Sequence, residues 1–227
     1  MKKIIALLLV LVLAFSLVAC GSSQSSSSDN DDDKKSEDKN KSEEKDNTNG
    51  GNKQLSFARG KIENNVYKND FIGFEIAMEG SWTISSDADI ARLCGVTEDE
   101  IKGDGYKTLL EQFGSMLDLS ASTSDSKLSV NLTYTYPKNY PFVSTGENAT
   151  PEEYAGVYKK MFENEGAKME TKTVKLSGDE YLRASFTIEN SDYAKVYYFR
   201  KVGKYMCILD FTYTNAYTLD TIEGMIK

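Results

Sequence analysis

The chain has 227 residues, with 27 Lys and Arg against 35 Asp and Glu, no His, and a formal net charge of −8. That acidic balance, without a basic stripe, argues against nucleic acid and anionic lipid heads as partners, because both would repel it. The absence of His removes Ser-His-Asp, Cys-His and His-zinc chemistry from this chain; lysine and carboxylate bases remain.

Met1-Lys2-Lys3 is a short positive start, and residues 4–18 are apolar apart from Ser16. This reads as a secretion signal over residues 1–19. The run is shorter than the roughly 20 residues a bilayer core requires. Leu17-Val18-Ala19-Cys20 then closes it. These four residues resemble the lipobox of bacterial lipoproteins, with plain secretory cleavage and an uncleaved anchor as the alternatives. The resemblance implies cleavage between Ala19 and Cys20 and a diacylglyceryl group on the Cys20 thiol. Two acyl chains hold a protein on a membrane where one is marginal. It also implies a protein outside the cytoplasm, its membrane contact made by that lipid.

Residues 21–53 contain no apolar side chain, only Ser, Asp, Glu, Lys, Asn, Gly, Gln and Thr. Nothing there offsets the entropy of ordering, so a tether is expected over 20–53, with a root-mean-square span of about 30 Å. Asp29-Asn30-Asp31-Asp32-Asp33 alternates acids as a calcium loop does. Its sixth position, however, is Lys34 where glycine is needed, and its twelfth is Asn40 where a bidentate glutamate belongs. A solvated charge run is the reading, and no metal or other cofactor is expected.

One folded domain is expected over 54–227. Ile72, Phe74, Ile76 and Met78 alternate with Gly73, Glu75 and Ala77, a half-buried strand that Trp82 and Ile84 extend. Ser86 and Asp89 frame a short helix carrying Ile90, Leu93 and Cys94, stopped by Gly95. Thr97-Glu98-Asp99-Glu100 has the pattern of a capping box. Leu109, Leu110, Phe113 and Met116 fit one helix face. Leu117, Leu119 and Ala121, then Leu128, Val130, Leu132, Tyr134 and Tyr136, alternate about Thr123-Ser124-Asp125-Ser126, which predicts a hairpin with one wet face. Residues 137–147 form a loop.

Thr150-Pro151-Glu152-Glu153 combines an N-cap, proline at the first helical position and glutamate three residues on. Tyr154, Val157, Tyr158, Met161 and Phe162 follow as a core-facing stripe, ended by Gly166. Four strands follow, over about 168–176, 180–189, 194–202 and 204–213, with a tight connection at Gly203. Leu219, Ile222, Met225 and Ile226 mark a last helix. The fold class is α+β: a twisted, largely antiparallel sheet of about six to seven strands, with helices on its apolar face and part of the other.

Tyr67-x-Asn69, Gly73-Phe74-x-Ile76-x-Met78 and Gly80-Ser81-Trp82-x-Ile84 resemble the opening of PsbP-like domains. These are α/β/α sandwiches found in photosystem accessory proteins, a nuclear import factor and many Firmicutes lipoproteins. Two departures bear on the turn: Glu79 stands where the family usually has proline, and Ser81 separates glycine from tryptophan. The resemblance implies a fold and a non-catalytic accessory or binding role, not an active site.

Candidate sites are few. Cys94 and Cys207 are candidates for a disulfide or for two separate buried thiols. Fourteen tyrosines favour strands, and Tyr136, Tyr140 and Phe142 form the expected exposed aromatic binding patch. Asp87, Asp89, Glu98, Asp99, Glu100 and Asp104 serve capping and solubility, with a weak cation site as the alternative. The expected function is that of a membrane-anchored extracytoplasmic lipoprotein, not an enzyme, whose domain binds a protein, peptide or glycan. The alternatives are a transporter's solute-binding lipoprotein and a cell-wall hydrolase working through carboxylates.

Overall fold

A computed structural model describes residues 56–227. The expected signal segment, with Ala19 and Cys20, the expected tether and the Asp29 acidic run lie outside the described residues.

The described residues form an α+β fold built on two antiparallel sheets. The small sheet joins β1 (Lys61–Glu63), β2 (Val66–Asn69) and β3 (Phe74–Ala77) in that order. The large sheet has seven strands in the order β4-β5-β6-β10-β9-β8-β7. They are β4 (Trp82–Ile84), β5 (Ser115–Thr123), β6 (Leu128–Thr135), β7 (Lys168–Leu176), β8 (Asp179–Thr187), β9 (Tyr193–Val202) and β10 (Tyr205–Thr214). The helices are α1 (Asp87–Cys94), α2 (Gly105–Phe113), α3 (Pro151–Glu163) and α4 (Leu219–Gly224).

Local chemistry sets the helix ends. The Ser86 hydroxyl accepts from Asp89 N and the Asp89 carboxylate accepts from Ser86 N, a reciprocal capping box that opens α1. Gly95, at φ 73°, closes it. Thr150 caps α3, with Pro151 at its first position. At Thr97 only the reverse half of the expected box forms: Glu100 accepts from Thr97 N and Oγ1, at 2.7 Å each.

One face of the large sheet carries the main core. Val130, Leu132 and Tyr134 of β6, Cys207, Leu209 and Phe211 of β10 and Val196 and Tyr198 of β9 pack there under the small sheet, α1, α2 and α4. Each such side chain contributes about 1.5–3 kcal/mol of burial. The other face is covered only in part. Tyr154, Ala155 and Phe162 of α3 pack on Ala184, Phe186, Phe199, Met206 and Ile208. Beyond α3, the same face shows half-buried Ser120, Ser122, Ser129, Asn131 and Thr133.

The structure differs from the sequence expectations at three places. Strands β1 and β2 form a hairpin that hydrophobic alternation does not reveal, since β1 is exposed throughout. The helix expected to include Met116 stops at Gly114, and Met116 is the second residue of β5. In β5 the register shifts between Leu117 and Leu119. This bulge puts Asp118 into the core next to Leu119, against strict alternation, and pairs Leu117 with Thr133 while it still packs at the edge of the main core.

Candidate functional site: a groove on the half-open sheet face

Two polar constellations stand out, one sealed and one open. In the sealed one, the bulge at Asp118 places a fully buried carboxylate under the segment 57–60. Asp118 accepts from Arg59 Nε at 2.8 Å, Gly60 N at 3.0 Å, Tyr67 Oη at 2.5 Å and Asn69 Nδ2 at 3.3 Å. Asn69 Nδ2 also donates to Tyr134 Oη at 2.7 Å, and its Oδ1 accepts from Phe71 N and Ile72 N. Burial pushes the Asp118 carboxyl up, while Arg59, Tyr67 and Gly60 pull it back. Burial pulls the Arg59 guanidinium down, but the Asp118 charge and hydrogen bond, together with Tyr106 and Asp87, more than offset it. Oδ2 takes three of these donors and Oδ1 the Arg59 guanidinium, all from within the fold and all buried or part-buried, so the network is structural.

The open constellation lies at the rim of α3. Cross-strand pairing sets Asp210 of β10 between Asn131 of β6 and Tyr197 of β9, and Lys195 opposite Thr212. All of these side chains point to the half-open face. The half-buried Asp210 accepts one long hydrogen bond, from Asn131 Nδ2 at 3.3 Å. Tyr158 of α3 packs on Tyr197 with ring centroids 4.4 Å apart. Tyr140, on the loop before α3, stacks on Tyr154 at 5.4 Å and 9°. The hydroxyls of Tyr140, Tyr158 and Tyr197 lie within one another's fields, and those of Tyr158 and Tyr197 within that of Asp210. The result is a groove floored by β6, β10 and β9 and walled by α3 and the Tyr140 loop.

Burial moves the groove's titrating groups together. It raises Asp210 from 3.8 to about 6, against the pull of Lys195 and Asn131. It pulls Lys195 down, opposed by Asp210 and by Glu165 just past α3. It pushes Tyr140 up to about 12 and holds Tyr158 and Tyr197 well above the phenol range. These tyrosines are neutral donors and apolar walls. Lys195 Nζ stands 5.8 Å over the Phe162 ring and closes no ion pair among the described residues.

The loop is held from below. Glu153 accepts from Ser144 N at 2.6 Å, Ser144 Oγ at 3.1 Å, Thr145 N at 3.3 Å and the Thr145 hydroxyl. Phe142 therefore sits 44% exposed on an anchored loop, edge-on to Tyr140 at 5.3 Å.

The structure divides the expected aromatic patch. Tyr140 and Phe142 flank the groove. Tyr136 does not join them: it is 8% exposed, packed with Tyr205 in the main core under Lys204 Nζ at 5.1 Å. The turn Pro137–Asn139 separates the two sides. Cys94 and Cys207 are both buried, and no disulfide joins them among the described residues; burial pushes the Cys207 thiol up. No cluster of three or more Cys, Asp or Glu that could hold a metal ion occurs among the described residues. A shallow recess of about 380 Å³ on α2 is lined by Asp104, Lys107, Thr108 and Glu111. Its Glu111 is already engaged by Tyr205 and Lys204.

Sequence reasoning missed Asp210, Lys195 and Asn131. The available signal was an acid in the otherwise apolar run from Tyr205 to Phe211, at the position where alternation points away from the core.

No family model matches the chain, and no curated protein matches it. Among solved structures it is similar to the solution structure of cyanobacterial PsbP (CyanoP) from Synechocystis sp. PCC 6803. The identity is 10% and the TM-score 0.43, over 80% of this chain and 97% of that one.

Proposed function

We propose that this protein is a lipid-anchored extracytoplasmic lipoprotein whose domain is a non-catalytic binding module, with the Asp210 groove as its binding face. The observation that carries the reading is Leu17-Val18-Ala19-Cys20, which closes an apolar run and opens onto a tract with nothing to bury. The folded unit engages the chain soon after that tract, at Phe57 and Arg59. Two features support binding without catalysis. The buried polar side chains Asn69, Asp118 and Thr135 are all hydrogen-bonded within the fold. The groove offers one carboxylate with open acceptor positions beside neutral tyrosines, a set suited to holding a ligand by hydrogen bonds and ring faces.

The anchor is tested by growing cells with a clickable palmitate analogue and fractionating them. The wild-type chain takes up label and sediments with membranes, and Cys20→Ser loses both. A wild-type chain that takes no label, or a Cys20→Ser chain that stays equally membrane-bound, overturns the anchor.

A further inference from the structure

The groove carries information about what it takes. Its charged groups are Asp210 on β10, Lys195 on β9 and Glu165 beyond α3, two acids against one base. The groups facing Asp210 from the packed elements are Asn131, Tyr197, Lys195 and Tyr158. Only Asn131 donates to it, at 3.3 Å, so most of its acceptor capacity is open. A half-buried carboxylate left in that state is stabilised by any donor that also brings positive charge. The walls suit such a donor, because the tyrosine and phenylalanine rings present faces that attract cations, and Lys195 over Phe162 already shows an ammonium held that way.

We propose that the groove binds a protonated primary amine, with Asp210 accepting the ammonium hydrogens and Tyr158 and Tyr140 flanking its alkyl chain. This rests on the reading of the groove as the domain's binding face. Lys195 enters with a defined sign: its charge competes with the ligand for Asp210. A zwitterionic ligand would instead use Lys195 for its carboxylate, and a neutral sugar would be nearly indifferent to it.

The test is isothermal titration of the full-length chain in detergent with cadaverine, Nα-acetyl-lysine amide and the neutral isostere 1,5-pentanediol. Both amines bind and the diol does not. Asp210→Asn weakens amine binding about tenfold or more, the worth of a charge-assisted hydrogen bond. Lys195→Met tightens it several-fold, and affinity rises from pH 5 to pH 7 as Asp210 ionises. Stronger binding of the lysine amide assigns the source as a protein side chain, and stronger binding of cadaverine assigns a free amine. The proposal is overturned if amines bind no better than the diol, if Asp210→Asn leaves them unchanged, or if Lys195→Met weakens them. Amide-shift mapping separates the two levels. A neutral oligosaccharide that shifts Asn131 and Tyr197 while amines do not keeps the groove and removes the amine. Amine-induced shifts confined outside β6, β9, β10 and α3 remove both.

Discussion

Asp118 and Asp210 are the same functional group in opposite circumstances. Asp118 lies in a bulge with four donors on it, and Asp210 lies in a ladder with one. Removing Asp118 leaves the half-buried Arg59 with only its pair to the exposed Asp87, at 3.0 Å, and orphans the Tyr67 hydroxyl and Gly60 N. Asp118→Ala is therefore expected to cost about 3–5 kcal/mol in urea unfolding; a loss under about 1 kcal/mol would contradict the network. For Asp210 the sign reverses. Its carboxyl titrates higher in the fold, about 6, than its ordinary 3.8, so the native state binds the proton more tightly than the unfolded chain. Stability from this group is therefore greatest below about pH 4 and falls as pH rises through about 6. The whole effect is at most about 3 kcal/mol. Asp210→Asn flattens that dependence and raises the melting temperature at pH 7 more than at pH 4. Equal shifts at both pH values would show that Asp210 is not desolvated.

At the scale of elements, alternation and capping were legible where side chains decide, and illegible where the backbone does. The β6 hydrophobics, the α1 capping box, the α3 cap and the β9–β10 hairpin follow from residue pattern alone. The bulge between Leu117 and Leu119 has no hydrophobic signature, because Leu-Asp-Leu fits an unbroken strand equally well. That ambiguity hid Asp118, the one acid in the core among the described residues. The β1–β2 hairpin was hidden by its exposure, though Asn64-Asn65 at φ 50° and 60° is a turn signal of the primed type. The groove was illegible because its members come from three strands, a helix and a loop, and only sheet order brings them together. Gly114 shows the backbone deciding in another way. It sits at φ 79°, and a Cβ there would lie 2.2 Å from the Asn139 carbonyl oxygen. Gly114→Ala is expected to cost at least about 2 kcal/mol, since strain and close approach add. An unchanged unfolding midpoint would mean that the Pro137–Asn139 turn moves freely.

Across the molecule, the two faces of the large sheet have different tasks. One is sealed by the small sheet and three helices, and the other is covered by α3 and left half open. The segment 57–60 belongs to the sealed side. Phe57 packs among Phe71, Tyr106, Tyr134 and Tyr205, with centroids 4.8–5.9 Å away. Phe57→Ala is expected to lower global stability by about 2–3 kcal/mol, because its ring fills the core although its backbone lies at the start of the fold. Local fraying without any global loss, read by amide exchange in β5 and β6, would show instead that the segment is an appendage.

Phe57 and Arg59 also decide how the domain meets mechanical load. Tension applied through the preceding residues arrives first at this segment, and Arg59 passes it to Asp118, in a strand with neighbours on both sides. Such a pull shears a buried ion pair and an aromatic plug before it can unzip an edge. The domain should therefore resist being drawn from its N-terminal side more than from β7, the uncovered strand at the far margin of the sheet.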